Sequence, residues 1–137
     1  MTEFGYDVFS GCDGLTSIVI PGSVKYIPSD TFVGCSNLTN VTIGEGVKEI
    51  GYSVFSGCDS LTSITFPDSV EHIYGFGRCE NLTSITVGTG LRIIEHNAFF
   101  YCTEMETIYY RGSRSAWRKV DGIATLPSDI RIVYNSK

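Results

Sequence analysis

Apolar and polar positions alternate along this chain in a block that keeps returning. From Leu15 the block reads Leu-x-x-Ile-x-Ile, and it restarts at Leu38, Leu61, Leu82 and Met105. Aligned this way, the first column is Leu15, Leu38, Leu61, Leu82 and Met105, and the fourth is Ile18, Val41, Ile64, Ile85 and Ile108. The sixth is Ile20, Ile43, Phe66, Val87 and Tyr110. Further apolar columns follow: Val24, Val47, Val70, Leu91; then Ile27, Ile50, Ile73, Ile94; then Phe9, Phe32, Phe55, Phe76, Phe99. Last come Cys12, Cys35, Cys58, Cys79 and Cys102, spaced by 23, 23, 21 and 23 residues. A period of about 20 to 30 residues marks a solenoid, because one such unit cannot bury its own apolar face and must stack on its neighbours.

Each block opens with period-two alternation rich in Thr, Ile and Val, which predicts a short strand, and successive strands stack in parallel. The turns "PGS", "GEG", "PDS" and "GTG" follow, and then "VKYI" or "VKEI" predicts a second short extended piece. The return limb, as in "GYSVFSGC", is short and glycine-rich, so an irregular or 3₁₀ path with Phe and Cys facing inward is expected. The predicted fold is therefore a solenoid: short parallel β-strands in a right-handed coil, irregular or 3₁₀ return limbs, and a C-terminal cap with a short helix and a strand. The repeats cover residues 1–112, with a partial unit over 1–14 and units starting at 15, 38, 61, 82 and 105; the cap covers 113–137. In the third unit "YG" at Tyr74 and Gly75 stands where "GYSV" follows Ile50, a loss of two residues that falls in the loop limb and should spare strand register. In the cap, Ser115 is the expected helix cap, Trp117 and Val120 share one face, and "IRIVYNS" is the closing strand. The other end starts midway through a unit. Its open apolar coil and unpaired edge predict either further chain on that side or self-association there.

Composition narrows the picture. The 137 residues are 42% hydrophobic and 18% charged, with a net charge of -5, and Lys and Arg are scattered singly. That distribution gives no footprint for nucleic acid, and no run approaches the ~18 to 20 apolar residues of a membrane span. The first residues, "MTEFGYDVFSG", have neither a basic start nor an apolar run, so no export signal is read there.

Units such as "LTSITFPDSVEHI" and "LTNVTIGEGVKEIGYSVFSGCDS" are specific enough to resemble the BspA-like, or treponemal-type, leucine-rich repeats: a Leu-x-x-Ile-x-Ile strand, a Pro-Asp-Ser turn, an Ile-Gly step and a Phe-x-x-Cys limb. The resemblance spans residues 4–110, and "IYYRGSRSAWRKV" looks like the family's terminal segment. It implies surface-exposed proteins, chiefly of host-associated bacteria and some anaerobic protists. Such proteins mediate adhesion to host or matrix proteins or to other cells. It also implies a cell-surface or secreted location for the full-length protein.

The cysteines, Cys12, Cys35, Cys58, Cys79 and Cys102, invite other readings. Parallel strands lie ~4.8 Å apart, so spacing alone permits a disulfide between neighbours. Five thiols leave one unpaired, however, and a ladder sets sulfurs in a line whereas a tetrahedral metal site needs them convergent. A structural column of buried, reduced thiols is the expectation, with no metal and no cofactor. His72 and His96 occupy different columns, so no Ser-His-Asp or Cys-His constellation follows, and no enzyme is expected. Lys25, Lys48, Glu71 and Arg92 form a charged column, read as a solvated ladder worth ~0.2 to 1 kcal/mol per pair. The sequons at Asn37, Asn40 and Asn81 are explained by the repeat itself, in which Asn precedes the strand Leu and Thr follows it.

The outward strand positions are the candidate partner-binding face: Thr16, Ser17 and Val19; Thr39, Asn40 and Thr42; Thr62, Ser63 and Thr65; Thr83, Ser84 and Thr86; Glu106, Thr107 and Tyr109. Threonine ladders also reflect plain sheet propensity. Five strands of three to five residues give a face of roughly 300 to 400 Å², against ~800 Å² per partner in a standard stable interface. The expected function is a non-enzymatic adhesion module that meets protein or glycan partners weakly, copy by copy, through this face. A structural spacer carrying another domain is the alternative.

Overall fold

The computed structural model describes residues 9–96 and 98–136. The opening of the partial first unit, residues 1–8, lies outside them. The chain winds through β1 (Ser17–Ile20), β2 (Tyr26–Ile27), β3 (Asn40–Ile43), β4 (Glu49–Ile50), β5 (Ser63–Thr65), β6 (His72–Ile73), β7 (Ser84–Val87), β8 (Ile93–Ile94), β9 (Thr107–Tyr110), α1 (Arg114–Trp117), a 3₁₀ turn (Ile123–Thr125) and β10 (Arg131–Val133). The odd-numbered strands and β10 make one parallel sheet, in the order β1-β3-β5-β7-β9-β10, and β2-β4-β6-β8 make a second. This is the solenoid that the periodicity predicts and the leucine-rich-repeat fold that the resemblance implies, with both strand segments in place in the units that start at 15, 38, 61 and 82.

All seven apolar columns point between the sheets and the return limbs. Leu38, Leu61, Leu82, Val47, Ile50, Ile73, Phe32, Phe55, Phe76, Cys35, Cys58 and Cys79 are completely inaccessible. The phenylalanines stack coil on coil, Phe9 on Phe32 at 5.3 Å and Phe32 on Phe55 at 5.6 Å between centroids, pairs worth about 0.5–1.5 kcal/mol each beyond area burial. Strand register survives the two-residue loss in the third unit: Ser63, Ile64 and Thr65 pair with Ser84, Ile85 and Thr86. The limb absorbs it, and Phe76 instead packs tilted against Phe66 at 6.0 Å and stacked on Phe99 at 5.1 Å.

Of the two forms expected for the return limbs, the structure has the irregular one. Each limb carries a left-handed residue, such as Gly34 (φ 76°) or Gly57 (φ 77°), which interrupts any 3₁₀ run. Alternate backbone donors reach the next coil, with Phe32 N–H donating to Val54 O at 2.9 Å and Gly34 N–H to Ser56 O at 2.8 Å. Among the described residues the one 3₁₀ segment lies after α1.

The C-terminal segment continues both sheets. β10 pairs parallel with β9, while Asp121 extends the second sheet, accepting from Ile94 N–H and donating to Arg92 O, both at 2.9 Å. Trp117 and Val120 are buried beneath it. Helix α1 starts earlier than Ser115 suggests: the cap is Ser113, whose Oγ accepts from Ala116 N–H at 3.1 Å, and Ser115 lies inside the helix. Arg111 ties this end back across a whole coil, its Nη1 donating to Phe66 O at 2.8 Å and lying 3.4 Å from Asp68 Oδ1.

Candidate functional site

Strand pleating fixes the outer face of the first sheet, since residues two apart point the same way. Two in-register rows cross it. Thr42, Thr65, Thr86, Tyr109 and Val133 form one, and Ser63, Ser84, Thr107 and Arg131 the other. Thr16, Ser17, Thr39, Asn40, Thr42, Thr62, Ser63 and Thr65 are exposed, and Val19 stands 70% exposed beside them. Thr83, Ser84, Thr86 and Tyr109 are half-buried, and Glu106 is exposed. Thr107, expected to face solvent, is only 8% exposed; it sits between Ser84 and Arg131 because β10 joins the sheet at that edge. Some hydroxyls already serve the stack: Thr39 Oγ1 donates to Thr16 O and Thr83 Oγ1 to Thr62 O, both at 3.1 Å.

Two sequon asparagines are likewise engaged. Asn37 Nδ2 donates to Asp13 O at 2.7 Å and Asn81 Nδ2 to Asp59 O at 2.6 Å, each bridging to the preceding coil.

The cysteine column has a hydrogen-bonding role. Cys35 Sγ donates to Phe9 O at 3.0 Å, Cys58 Sγ to Phe32 O at 3.3 Å and Cys79 Sγ to Phe55 O at 3.2 Å. The Phe32 carbonyl, with two lone pairs, also accepts Cys35 N–H at 3.1 Å from its own coil. A Phe-x-x-Cys limb therefore uses one carbonyl to close its turn and to hold the next coil. The five thiols are unpaired. Burial pushes the Cys58 thiol up to about 12 and raises that of Cys35; the Cys79 thiol is raised by hydrogen bonding to Cys102 and by burial. Since the thiolate is the reactive form, native protein treated with a chromogenic disulfide reagent will expose half-buried Cys12 first, while Cys35, Cys58 and Cys79 react only as fast as the fold opens. Titration in denaturant will count five thiols, and an intact bridge between Cys35 and Cys58 would contradict this.

The second sheet departs from its expected ladder. Lys48 Nζ lies 3.4 Å from Glu71 Oε2, but among the described residues Arg92 makes no ion pair with Glu71, and Lys25 Nζ turns to Gly22 O at 3.1 Å. The pairing that sequence reasoning missed is on His72. Its Nε2 is 2.7 Å from Glu95 Oε1, its Nδ1 is 4.0 Å from Glu49 Oε1, and its ring stacks on Tyr74 at 4.0 Å. Glu49 could have been found by register, since it pairs directly with His72. Among the described residues neither histidine bonds to a serine or cysteine, and no group of three His, Cys, Asp or Glu side chains is set to hold a metal ion.

The return limbs carry a second feature absent from the sequence reading. Among the described residues, Tyr52 (54% exposed), Phe100 (57%) and Tyr101 (53%) are the large hydrophobic side chains most open to water after Val19. They surround a recess of about 380 Å³ whose lining includes Tyr74, Gly75 and Gly77 of the shortened third limb. Tyr52 packs tilted on Tyr74 at 4.9 Å, Phe100 meets Tyr101 edge-on at 4.2 Å, and the Arg78 guanidinium lies 5.0 Å from the Tyr101 ring centre.

Comparison with known families places residues 2–119 under the BspA type leucine rich repeat region, in six copies. The chain belongs to the BspA-type leucine-rich-repeat family. Its solved neighbours agree. A leucine rich cell surface protein of Faecalibacterium prausnitzii A2-165 superposes with a TM-score of 0.81 at 33% identity, covering 88% of this chain and 32% of the neighbour. A leucine rich repeat protein of T. pallidum gives 0.75 at 26% identity over 97% of this chain and 67% of the other. One from Bacteroides ovatus ATCC 8483 gives 0.70 at 30%, over 98% and 40%. This chain thus spans about a third of the length of the first of them. No curated protein matches significantly. BspA-type repeats are in general protein-interaction modules of cell-surface proteins, and a repeat built this way leaves specificity to side chains that the columns do not dictate. In this BspA-type array those are the outer sheet face and the residues around the recess.

Proposed function

We propose that this chain is a non-enzymatic adhesion module of a cell-surface protein, meeting host or matrix proteins or other cells through the outer face of its first sheet. The observation that carries this reading is the uncharged, exposed hydroxyl and amide surface of β1, β3 and β5, within a chain of net charge -5. Such a surface offers hydrogen-bond donors and acceptors without the desolvation cost of buried charge. Each copy binds weakly, and a surface crowded with copies or a longer array supplies avidity. The cell-surface description of the Faecalibacterium neighbour supports the location. A spacer that holds another domain is the second reading, favoured by the short share of the neighbours that this chain spans.

Beads coated with the chain should retain matrix proteins or host cells, and Thr42→Lys/Thr65→Lys should abolish retention. The two sites are directly paired, so circular dichroism must first show that the paired lysines leave the fold intact. Equal adhesion by wild type and variant would remove this face as the site.

A further inference from the structure

Two departures from the repeat meet at one place. The third return limb lacks two residues, and the limbs on either side of it are full length, so the short limb becomes the floor of a recess with Tyr52 on one wall and Phe100 and Tyr101 on the other. The second departure is conformational. The position before the cysteine is left-handed glycine in the first three coils, at Gly11 (φ 71°), Gly34 (φ 76°) and Gly57 (φ 77°); the shortened limb has Arg78 there and its left-handed glycine one place earlier, at Gly77 (φ 67°); in the fourth unit it is Tyr101, at φ 69°. A bulky side chain in that region is strained, because Cβ crowds its own backbone. Strain of this kind persists where the surrounding structure enforces it, and it clusters at ligand sites. The core gains nothing from it, since both Phe100 and Tyr101 project more than half their surface into water. The chain holds the unstrained alternative elsewhere: "FSGC" ends the limbs at Cys12 and Cys58, where the fourth limb reads "FFYC".

The chemistry of the walls selects the occupant. Among the described residues no carboxylate or ammonium lines the recess; the polar side chains there are phenol hydroxyls, Ser53 and His96. A cationic ligand is disfavoured because the Arg78 guanidinium already lies against the Tyr101 ring. An extended peptide adding as a strand finds the backbone taken, with Ser53 N–H donating to Gly75 O at 3.2 Å and Phe76 N–H to Ala98 O at 2.9 Å. What remains is a small, uncharged, amphipathic body with a C–H face to lay on an aromatic ring and hydroxyls for the polar rim. Rigid tyrosines give such contact area at low entropic cost, and the volume lies at the small end of ordinary ligand clefts. We propose that this recess is a glycan subsite that takes a neutral pyranose ring between Tyr52 and the Phe100–Tyr101 pair.

The test restores the repeat. The whole chain, displayed multivalently, is applied to an array of neutral mono- to tetrasaccharides and, in parallel, to an array of proline-rich peptides, which also dock on aromatic grooves. The comparison variant, Phe100→Ser/Tyr101→Gly, rebuilds "FSGC" in the fourth limb. Wild type should retain a subset of the saccharides, and the variant should bind them about tenfold or more weakly with its melting temperature unchanged or raised, because strain is relieved. Any of four results overturns the proposal: no saccharide retained, retention of the peptides instead, equal binding by the variant, or a variant that melts lower, which would make the two aromatics packing residues. The Thr42→Lys/Thr65→Lys chain should bind saccharide as wild type does, so this inference and the sheet-face reading fail separately.

Discussion

Phe55→Ala will cost about 3–5 kcal/mol of unfolding free energy, a large share of the ~5–15 kcal/mol that holds a typical domain. Phe55 is wholly inaccessible and lies in the middle of the array, stacked on Phe32 with an interplanar angle of 4°. The cavity cannot collapse easily, because the limb around it is pinned on both sides by backbone bonds: Phe32 N–H to Val54 O at 2.9 Å, and Gly57 N–H to Arg78 O at 2.7 Å. In a solenoid each coil touches only its neighbours, so weakening a central interface also weakens the coupling between the two halves. The protein contains one tryptophan, Trp117, in the C-terminal segment, and it reports that end alone. In urea, far-ultraviolet circular dichroism and Trp117 fluorescence should coincide for wild type and separate for Phe55→Ala. Coincident curves with a midpoint close to wild type would show that the coil tolerates the void and that the stack contributes little.

How far such residues could be read in advance depends on whether their environment repeats. Phe55 was legible because four other phenylalanines occupy its column, and Cys58 because its neighbours Phe55 and Leu61 mark the same inward face. Register across the third unit was legible too, since a loss in a limb leaves the strand columns untouched. Thr107 was not. Its side chain points outward by pleat, and β10 sets Arg131 beside it where the other strands present Ser or Asn in the same row. The His72–Glu95 contact crosses coils diagonally, two columns apart, where a column-by-column comparison does not look. Phe100 and Tyr101 stand outside the repeating columns, so a comparison of columns does not single them out. Their exposure follows from the left-handed backbone at Tyr101, which the limb geometry imposes whatever side chain stands there.

Trp117→Ala should release the C-terminal segment while leaving the array folded. Helix α1 has four residues, far below the length at which a helix stands alone, so its position rests on the burial of Trp117 and Val120. The indole packs 5.1 Å from the Tyr110 ring, tilted by 56°, and its loss removes about 3–5 kcal/mol of packing. The segment's other holds are Asp121 on the second sheet and β10 on the first, and they cannot all outlast that change. Hydrogen exchange should therefore accelerate at Ile94, whose amide bonds to Asp121 O, and at Arg131, whose amide bonds to Glu106 O. Amides between inner coils, such as Phe32 and Gly57, should keep their protection, as local unfolding confined to one end requires. Once β10 leaves, β9 becomes the edge strand, and Met105, Ile108 and Tyr110, each now at most 6% exposed, lose part of their cover. An unpaired edge above an apolar coil is a template for association, so the variant should also oligomerise with rising concentration in sedimentation. Exchange that quickens evenly along the chain would mean that the segment and the repeats unfold as one unit.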